Sequence, residues 1–552
     1  MKALKNIAFL LFFACLGTSA FAQNPDLPSE QVDIIKSFDA RLEATDRFQV
    51  DPELPPLDTS TRRLDYQVAA KALEVEYLPP KIRPLAMSGD DVPDSYNGYL
   101  KFGGGFPASL YGNGFYNFSN KENFNLGLSA LHHSANNNRS VENQRFSYTK
   151  LNADGTYQHD LGFAVNAGLG FTSDVVHFYG YNEVAKALEE EYTFEPDAVR
   201  QRFSIFDAKA SIFNGVRTEA DFNYHAGVKL YFMDDNYAAR ENGFDLLIRG
   251  TKWFDGSHPL NIELETDFTS YKDTAKQSLN NFFLRPSYTY HGDNFKAKLG
   301  ANIASNDDNF YFFPDVELSA IILKGLLGAY VGASGTLQKN NFRALTDYNP
   351  FISSRVEVKN SNYYNFYGGV RGTIQRIDYD GQVGYKTVDN LALYLLPDVN
   401  DTIPRFDVLY DTARIFFIKG SVTAPLFQGF ELSGAVSQSF FSLDREEKPW
   451  HLPAFNVNVG ARYTTTLDAK KETKLILRGD FFLENGVPYR DDDGNAQSLN
   501  GLFDISLGAD FFFTKNIGGF VQVNNLANNK RERWHRYPTF GINAMLGIVA
   551  RF

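Results

Sequence analysis

The connections between the extended segments of this 552-residue chain alternate in length, and that alternation restricts its fold more than any single motif. From Tyr96 onward, apolar and polar residues alternate with the period of two that is typical of β-strands. Every second connection is short, as at Gly292-Asp293 and Lys515-Asn516, whereas most of the others are longer, as at 181–200 and 340–360. An up-and-down meander whose two ends face different compartments produces this alternation, and a Greek-key sandwich has no reason to show it.

The single segments have one apolar and one polar face. Between 222 and 232, for example, Phe222, Val228 and Phe232 fall on the opposite face from His225 and Lys229. A membrane barrel turns such apolar faces to lipid and the polar faces to its lumen. We therefore predict an all-β fold: a transmembrane antiparallel up-and-down β-barrel of about 22 strands (20–22) over residues 96–552. An even strand number places both ends of the barrel on the periplasmic side and the long loops outside.

The composition agrees with such a barrel. Mean hydropathy is -0.32, and the longest apolar run after the first residues, Val316 to Ala333, is interrupted by Glu317 and Lys324, so no transmembrane helix is predicted. Aromatic residues make up 15% of the chain, which suits the girdles that barrels place at membrane interfaces. A net charge of -12 argues against a nucleic-acid partner, because such proteins need a basic face.

The first 22 residues have the pattern of a secretory signal peptide. Lys2 and Lys5 precede the apolar run from Ile7 to Leu16, and Ala20-Phe21-Ala22 is a small-x-small cleavage site. Lipidation at Cys15 is the competing interpretation, although Phe12-Phe13-Ala14 matches a lipobox poorly. Cys15 is the single cysteine, so we expect neither disulfides nor thiolate metal sites in the mature chain.

Residues 23–95 differ from the barrel in their many prolines, as at Pro55-Pro56 and Pro79-Pro80. They are predicted to be an extended periplasmic segment, either a reduced plug or arm, or a disordered leader. We expect the protein in the outer membrane, with this segment and the C-terminus in the periplasm.

The last hairpin contains Val523 to Asn528, Trp534, Tyr537-Pro538, Gly541 and Gly547 to Phe552. With these residues it resembles the last hairpin of TonB-dependent receptors. Because of Val176 to Tyr181 and Asn349 to Phe351, the likeness is nearest to short receptor-like barrels of the Bacteroidota. This resemblance implies solute transport across the outer membrane and TonB as a partner. Such receptors carry a plug of more than a hundred residues before the barrel, whereas about seventy precede Tyr96 here; Val32 to Lys36 is a faint likeness to the family's energy-coupling segment.

Two groups of candidate site residues follow from the strand pattern. The first would line the lumen, either as a translocation path or a seat for a partner segment, or simply because a wet wall is polar. The second is the apolar face of the terminal strand, which the barrel-assembly machinery reads in proteins that this one resembles. The lumen group comprises His225, Lys229, Glu263, Glu265, Asp267, Lys296, Lys298, Arg371, Arg478, Asp480, Asp504 and Asp510, and the terminal group comprises Phe540, Ile542, Leu546, Ile548 and Phe552.

Two loops have charged runs with weaker functional interpretations. Asp491 to Asn495 is oxygen-rich enough for Ca²⁺, but position 502 is Leu where an EF-hand has its closing acid, so a solvated turn is favoured. Lys530 to Arg536 is basic and could contact anionic headgroups or a phosphorylated saccharide, or be an ordinary charged loop. We predict no metal and no cofactor.

Catalytic motifs are missing: there is no Gly-x-Ser-x-Gly elbow, no His-Glu-x-x-His and no phosphate loop, and we expect no enzyme activity. Two functions stay open, a transporter of a solute through the barrel and a non-transporting scaffold of an envelope complex. The expected partners are outer-membrane lipid, the barrel-assembly machinery, and either a plug-like or surface lipoprotein or TonB.

Overall fold

The computed structural model describes residues 96–120, 123–215, 218–397, 402–468, 470 and 472–552. The predicted signal peptide (1–22) and the whole of the predicted periplasmic segment (23–95), Val32 to Lys36 included, lie outside these residues.

The described part of the chain forms a closed antiparallel β-barrel of 22 strands, as the alternating connections predict. Each barrel strand pairs with the next along the chain, and the first and last strands pair with each other. The barrel strands are β1 (Gly98–Phe106), β2 (Ser109–Asn120), β3 (Phe124–Asn136), β4 (Arg145–Gln158), β5 (Phe163–His177), β6 (Arg200–Asn214), β7 (Phe222–Asp235), β8 (Arg240–Phe254), β9 (His258–Lys272), β10 (Lys276–His291), β11 (Phe295–Asn306), β12 (Asn309–Leu323), β13 (Leu327–Asn340), β14 (Lys359–Ile374), β15 (Ile377–Leu395), β16 (Asp407–Phe427), β17 (Phe430–Leu443), β18 (Phe455–Asp468), β19 (Thr473–Asn485), β22 (Leu502–Phe512), β23 (Ile517–Asn524) and β26 (Asn543–Arg551).

Short elements interrupt the loops at the end of the barrel that carries the long connections. They are helix α1 (Tyr181–Leu188), helix α2 (Phe342–Tyr348), the hairpin of β20 (Pro488–Arg490) with β21 (Ala496–Ser498), and the pair of β24 (Glu532–Trp534) with β25 (Tyr537–Pro538). Neither helix in the described ranges has the length and apolar character to cross a membrane.

The outer surface of the barrel is an apolar band of bilayer height. On β7, Phe222 and Phe232 mark its two edges and are both exposed. Ten residues of strand span roughly 33 Å, and a strand tilt of about 40° reduces this to a height of roughly 25 Å. Aromatic rings continue the outer edge onto the next strands, where Phe268 lies 6.1 Å from Phe244 and 5.0 Å from Phe282 between ring centroids.

The terminal strand begins later than the apolar alternation suggests. Leu546 and Ile548 lie on the exposed outer face of β26, whereas Phe540 and Ile542 precede the strand. The physical reason is that β23, the neighbour of β26, ends at Asn524. Loop asparagines replace it: the side chain of Asn525 donates to the Phe540 carbonyl at 2.8 Å, and that of Asn528 accepts from the Ile542 amide at 3.0 Å.

Glycines allow the first and last strands to close the barrel. A Cβ at Gly105 would overlap the Ala544 carbonyl oxygen, and one at Gly547 would overlap that of Phe102. Beyond the end of β26, Phe552 and Gly98 exchange two backbone hydrogen bonds of 2.7 and 3.0 Å. The chain therefore joins its ends at a seam where the backbones approach without intervening side chains.

Candidate site in the barrel lumen

The predicted lumen residues lie on the strand faces opposite the exposed apolar side chains. Glu263 and Glu265, for instance, alternate with Ile262 and Leu264, which are 48% and 49% exposed on the outer face. Most of the twelve side chains are engaged in ion pairs or hydrogen bonds with other lumen residues. Five of the twelve make no ion pair with a described residue: His225, Lys229, Lys296, Asp480 and Asp504.

Two arginines that the sequence did not single out neutralise the acidic strand β9. Arg285 on β10 contacts both Glu263, at 2.7 Å, and Glu265. Arg249 on β8 donates to Glu263 at 2.6 Å from the other side. This part of the wall is therefore a matched charge network, and its acids are structural.

Lys339 neutralises a second acidic pair. Asp267 faces Asp245 directly across strands β8 and β9, and like charges in that register repel. The Lys339 ammonium reaches both carboxylates from β13, contacting Asp267 closely and lying 3.7 Å from Asp245.

The remaining predicted residues divide between paired and unpaired groups. Lys298 binds Asp315 at 2.6 Å, Arg478 binds Asp510 at 2.5 Å, and Arg371 lies 3.9 Å from Glu317. Asp504 accepts from the Asn525 amide at 2.8 Å and from Ser506, and His225 packs its ring 6.0 Å from that of Phe213. Lys229 and Lys296 are exposed lumen cations.

A cavity of about 750 Å³ opens in the lumen wall between strands β4–β8 and helix α2. Glycines make its floor: a Cβ at Gly168 would lie 2.5 Å from Cε of Lys209 and 2.7 Å from Oδ2 of Asp154, and a Cβ at Gly170 would lie 3.1 Å from Asn152. Because β5 lacks side chains there, the neighbouring strands can hold charged groups around an open space. A volume of this size is typical of small-molecule sites.

Helix α2 forms the roof of this cavity and is fixed firmly. The Asn341 side chain caps it by accepting from the Ala344 amide at 3.0 Å. Glu241, which is fully buried, accepts from the Phe342 amide at 2.6 Å and from the Arg343 amide at 3.1 Å. The roof is therefore held by a barrel carboxylate as well as by its own cap.

Charges of both signs line the cavity. Arg343 of the roof makes a bidentate contact with Asp207 at 2.7 and 3.2 Å, and its guanidinium lies 4.9 Å from the Tyr231 ring centroid. Lys209 binds Asp154 at 2.5 Å. The other charged groups of the lining are Lys150, Asp174, Lys229, Asp245, Lys339 and Asp347.

Four of the long loops share a buried aromatic core at one end of the barrel; we call it the lid core. Its central rings are Tyr179 after β5, Phe351 after β13, Phe406 before β16 and Tyr537 between β23 and β26, and all are buried. The Tyr537 ring lies 4.0 Å from Phe351, 5.1 Å from Tyr179 and 6.1 Å from Phe406. These loops leave the barrel at widely separated strands, so their shared core must lie across the lumen.

A buried histidine extends the lid core. The His451 ring lies 4.8 Å from the Phe406 ring and 5.6 Å from that of Trp534. Its Nδ1 bonds the Tyr394 carbonyl at 2.7 Å, and its Nε2 accepts from the His535 amide. Burial lowers the pKa of His451 to about 3, partly opposed by that carbonyl, so the imidazole is neutral at physiological pH.

The two charged loops have structural explanations. Asp491 accepts from the amides of Asp493 and Asn495 at 3.2 and 2.7 Å, which makes the acidic run a hydrogen-bonded turn. Within the described ranges, no cluster of three or more metal-ligating side chains is found. In the basic loop, Trp534 is buried in the lid core, and Arg536 is buried against Asp492.

Comparisons with known proteins show the fold. No protein-family model matches the chain, and a search of curated proteins finds no match either. Among solved structures, the siderophore receptor PirA from Acinetobacter baumannii aligns with a TM-score of 0.62 and 9% identity, covering 84% of this chain and 81% of the receptor. The ferric-catecholate import receptor Fiu from K12 E. coli gives 0.61 and 8%, with 83% and 82% covered. The pyoverdine receptor FpvA from Pseudomonas aeruginosa PAO1 gives 0.59 and 10%, with 83% and 79% covered. At these identities the likeness concerns architecture: the chain has the 22-strand barrel fold that these outer-membrane receptors share.

Proposed function

We propose that the protein is an outer-membrane receptor-type transporter that takes a polar solute through its barrel lumen. The observation that carries this proposal is the charged cavity of about 750 Å³ in the lumen wall, roofed by helix α2 beneath the lid core. The siderophore receptors that share the fold are the supporting analogy. The segment 23–95 would act as a reduced plug or arm of the Bacteroidota type and would carry any contact with TonB.

The transport route must pass the lid core. Phe342 and Leu345 of α2 are buried in that core, while Arg343 and Asp347 of the same helix line the cavity. Displacing the loops therefore moves the cavity roof as well. In this mechanism the closed lid holds the solute site shut on the outer side, and loop opening exposes it.

A scaffold in an envelope complex is the second candidate, and the buried core that the long loops share favours it. Loops that share a buried core present a fixed surface to a partner, and a scaffold does not require a solute to pass through the barrel. The two functions differ in one requirement: a transporter has to open its lid, whereas a scaffold does not.

Locking the lid separates the two functions. The variant Phe351→Cys/Tyr537→Cys places thiols where two rings lie 4.0 Å apart, and the only natural cysteine, Cys15, lies in the predicted signal peptide. A short bismaleimide should join these positions on intact cells. Mass spectrometry identifies the solutes that cells with the protein deplete from the medium. After cross-linking, these solutes should stay in the medium.

The same double variant without reagent is the control, and its solute depletion should match that of cells with the wild-type protein. Unchanged depletion after complete cross-linking would refute transport through the lumen. Recovery of a stoichiometric partner from gently solubilised membranes, with no solute depleted by either form, would establish the scaffold instead.

A further inference from the structure

The lumen cavity contains a pair of lysines that repel one another. Lys209 and Lys229 are directly opposite across strands β6 and β7. Like charges in this register are destabilising unless a counter-charge lies between them. Lys209 has Asp154, but Lys229 makes no ion pair with any described residue, and its other cross-strand neighbour, Asp245, lies beside Lys339.

The same cavity contains a pair of carboxylates at its outer end. Asp174 of β5 and Asp347 of helix α2 both line the cavity, and their charges repel one another. Neither carboxylate has an ion-pair partner in the described part of the chain. Lys150, on the neighbouring strand β4, also makes no ion pair with them at 4.0 Å or less.

These two pairs differ from the like-charge pairs on the neighbouring strands β8 to β10. There a third residue neutralises each pair, as Lys339 does for Asp245 and Asp267 and Arg285 does for Glu263 and Glu265. In the cavity, Asp154 neutralises Lys209, but Lys229 and the carboxylates of Asp174 and Asp347 have no ion-pair partner among the described residues. A ligand that supplies a cation at one end and an anion at the other would satisfy both.

The spacing between the pairs sets the length of such a ligand. Gly168 of β5 is the register partner of Lys209, and Asp174 lies six residues further along the same strand. Six residues of strand span roughly 20 Å, and two strand spacings add a lateral offset of roughly 10 Å. After the reach of the side chains is subtracted, roughly 15 Å remains, which an extended chain of about four or five residues fills.

We propose that the solute is a short peptide with free termini, whose ammonium group binds Asp174 and Asp347 and whose carboxylate binds Lys209 and Lys229. The proposal rests on the proposed function and names its substrate class. Tyr148, Phe203 and Tyr231 of the cavity lining offer apolar and aromatic contacts to the peptide side chains. The peptide's two end charges, and not its sequence, decide binding.

The test combines chemical blocking of the peptide with substitution of each pair. Four probes are titrated into the full-length protein in detergent by calorimetry: tetra-alanine, its N-acetyl form, its C-terminal amide and the doubly blocked form. Because each end makes charge-assisted hydrogen bonds, either block should weaken binding about tenfold or more. Asp174→Asn should weaken binding of the peptides with a free amine but not of the acetylated ones. Lys229→Met should weaken only the peptides with a free carboxylate.

Asp480→Asn is the matched control, since Asp480 is an unpaired lumen carboxylate outside the cavity, and it should leave all four affinities unchanged. Equal affinity for free and doubly blocked peptide, or equal weakening of all probes by Asp174→Asn, would overturn the proposal. No binding by the wild type or by a Tyr537→Ala variant, whose lid core is weakened, would also overturn it. The proposed function fails separately, through the lid-locking experiment, because that readout needs no particular solute.

Discussion

Acidification should loosen the lid core through His451. The pKa of this histidine is lowered to about 3 by burial, whereas in opened loops it returns to about 6.5. The opened state therefore binds the proton more readily than the closed state. The stability that the neutral His451 gives to the closed lid core is fully present above about pH 6.5 and is lost as the pH falls below that value. At pH 5, about 1.5 pKa units lie between the opened-state pKa and the solution pH. At 1.36 kcal/mol per unit, the lid loses about 2 kcal/mol relative to pH 7.5.

Hydrogen exchange measures this loss directly. The His535 amide, which donates to His451 at 3.3 Å, should show a protection factor about 30-fold lower at pH 5 than at pH 7.5 after correction for intrinsic rates. His451→Gln should remove the pH dependence. His159→Gln, in the short turn between β4 and β5 where the ring stacks 4.6 Å from Phe163, should retain it. Equal protection at both pH values in the wild type would show that His451 does not control the lid.

Three further substitutions test the packing of the barrel and its lid. Trp534→Ala removes a buried ring beside Phe406 and should destabilise the loops of the lid core by about 3–5 kcal/mol. Amide protection in these loops should be lost while the melting temperature of the barrel is retained, and intact protection would count against the lid core. Lys339→Met leaves Asp245 and Asp267 face to face and should lower the free energy of unfolding in urea by about 2–3 kcal/mol. The control Lys296→Met removes an unpaired cation and should lower it by less than about 0.5 kcal/mol. Gly105→Val should prevent closure of the seam and abolish heat-modifiable migration in SDS gels. In the control Gly112→Ala, the new Cβ would lie 3.6 Å from its nearest atom, on the Phe102 ring, and the protein should migrate normally. A closed Gly105→Val barrel would refute the seam argument.

The barrel was predictable because lipid and lumen impose opposite demands on alternate residues. The period of two assigns Glu263 and Glu265 to one face of β9 and Ile262 and Leu264 to the other, and Ile262 and Leu264 are exposed in the structure. It extends the terminal strand too far, to Phe540, because periodicity does not show where the neighbouring strand stops. Strand faces can thus be predicted from sequence more reliably than strand ends.

The candidate site could be predicted only in part. Lys229 is placed in the lumen by periodicity, but the cavity depends on Gly168 and Gly170, and a glycine in a strand gives no sign of open space. The contact of Lys339 with Asp267 joins positions 72 residues apart on strands that are not neighbours. The lid core is built from long loops without periodicity, and its seven-residue helix α2 is too short to leave a helical pattern.

Helix α2 has one face in the lid core and the other in the lumen cavity, so a solute that binds the cavity as proposed would be thermodynamically linked to the packing of the loops. If a bound solute changes the affinity of an antibody fragment for the outer loops by some factor, the fragment must change solute affinity by the same factor. A molecule that never enters the barrel can thus act on what the barrel holds.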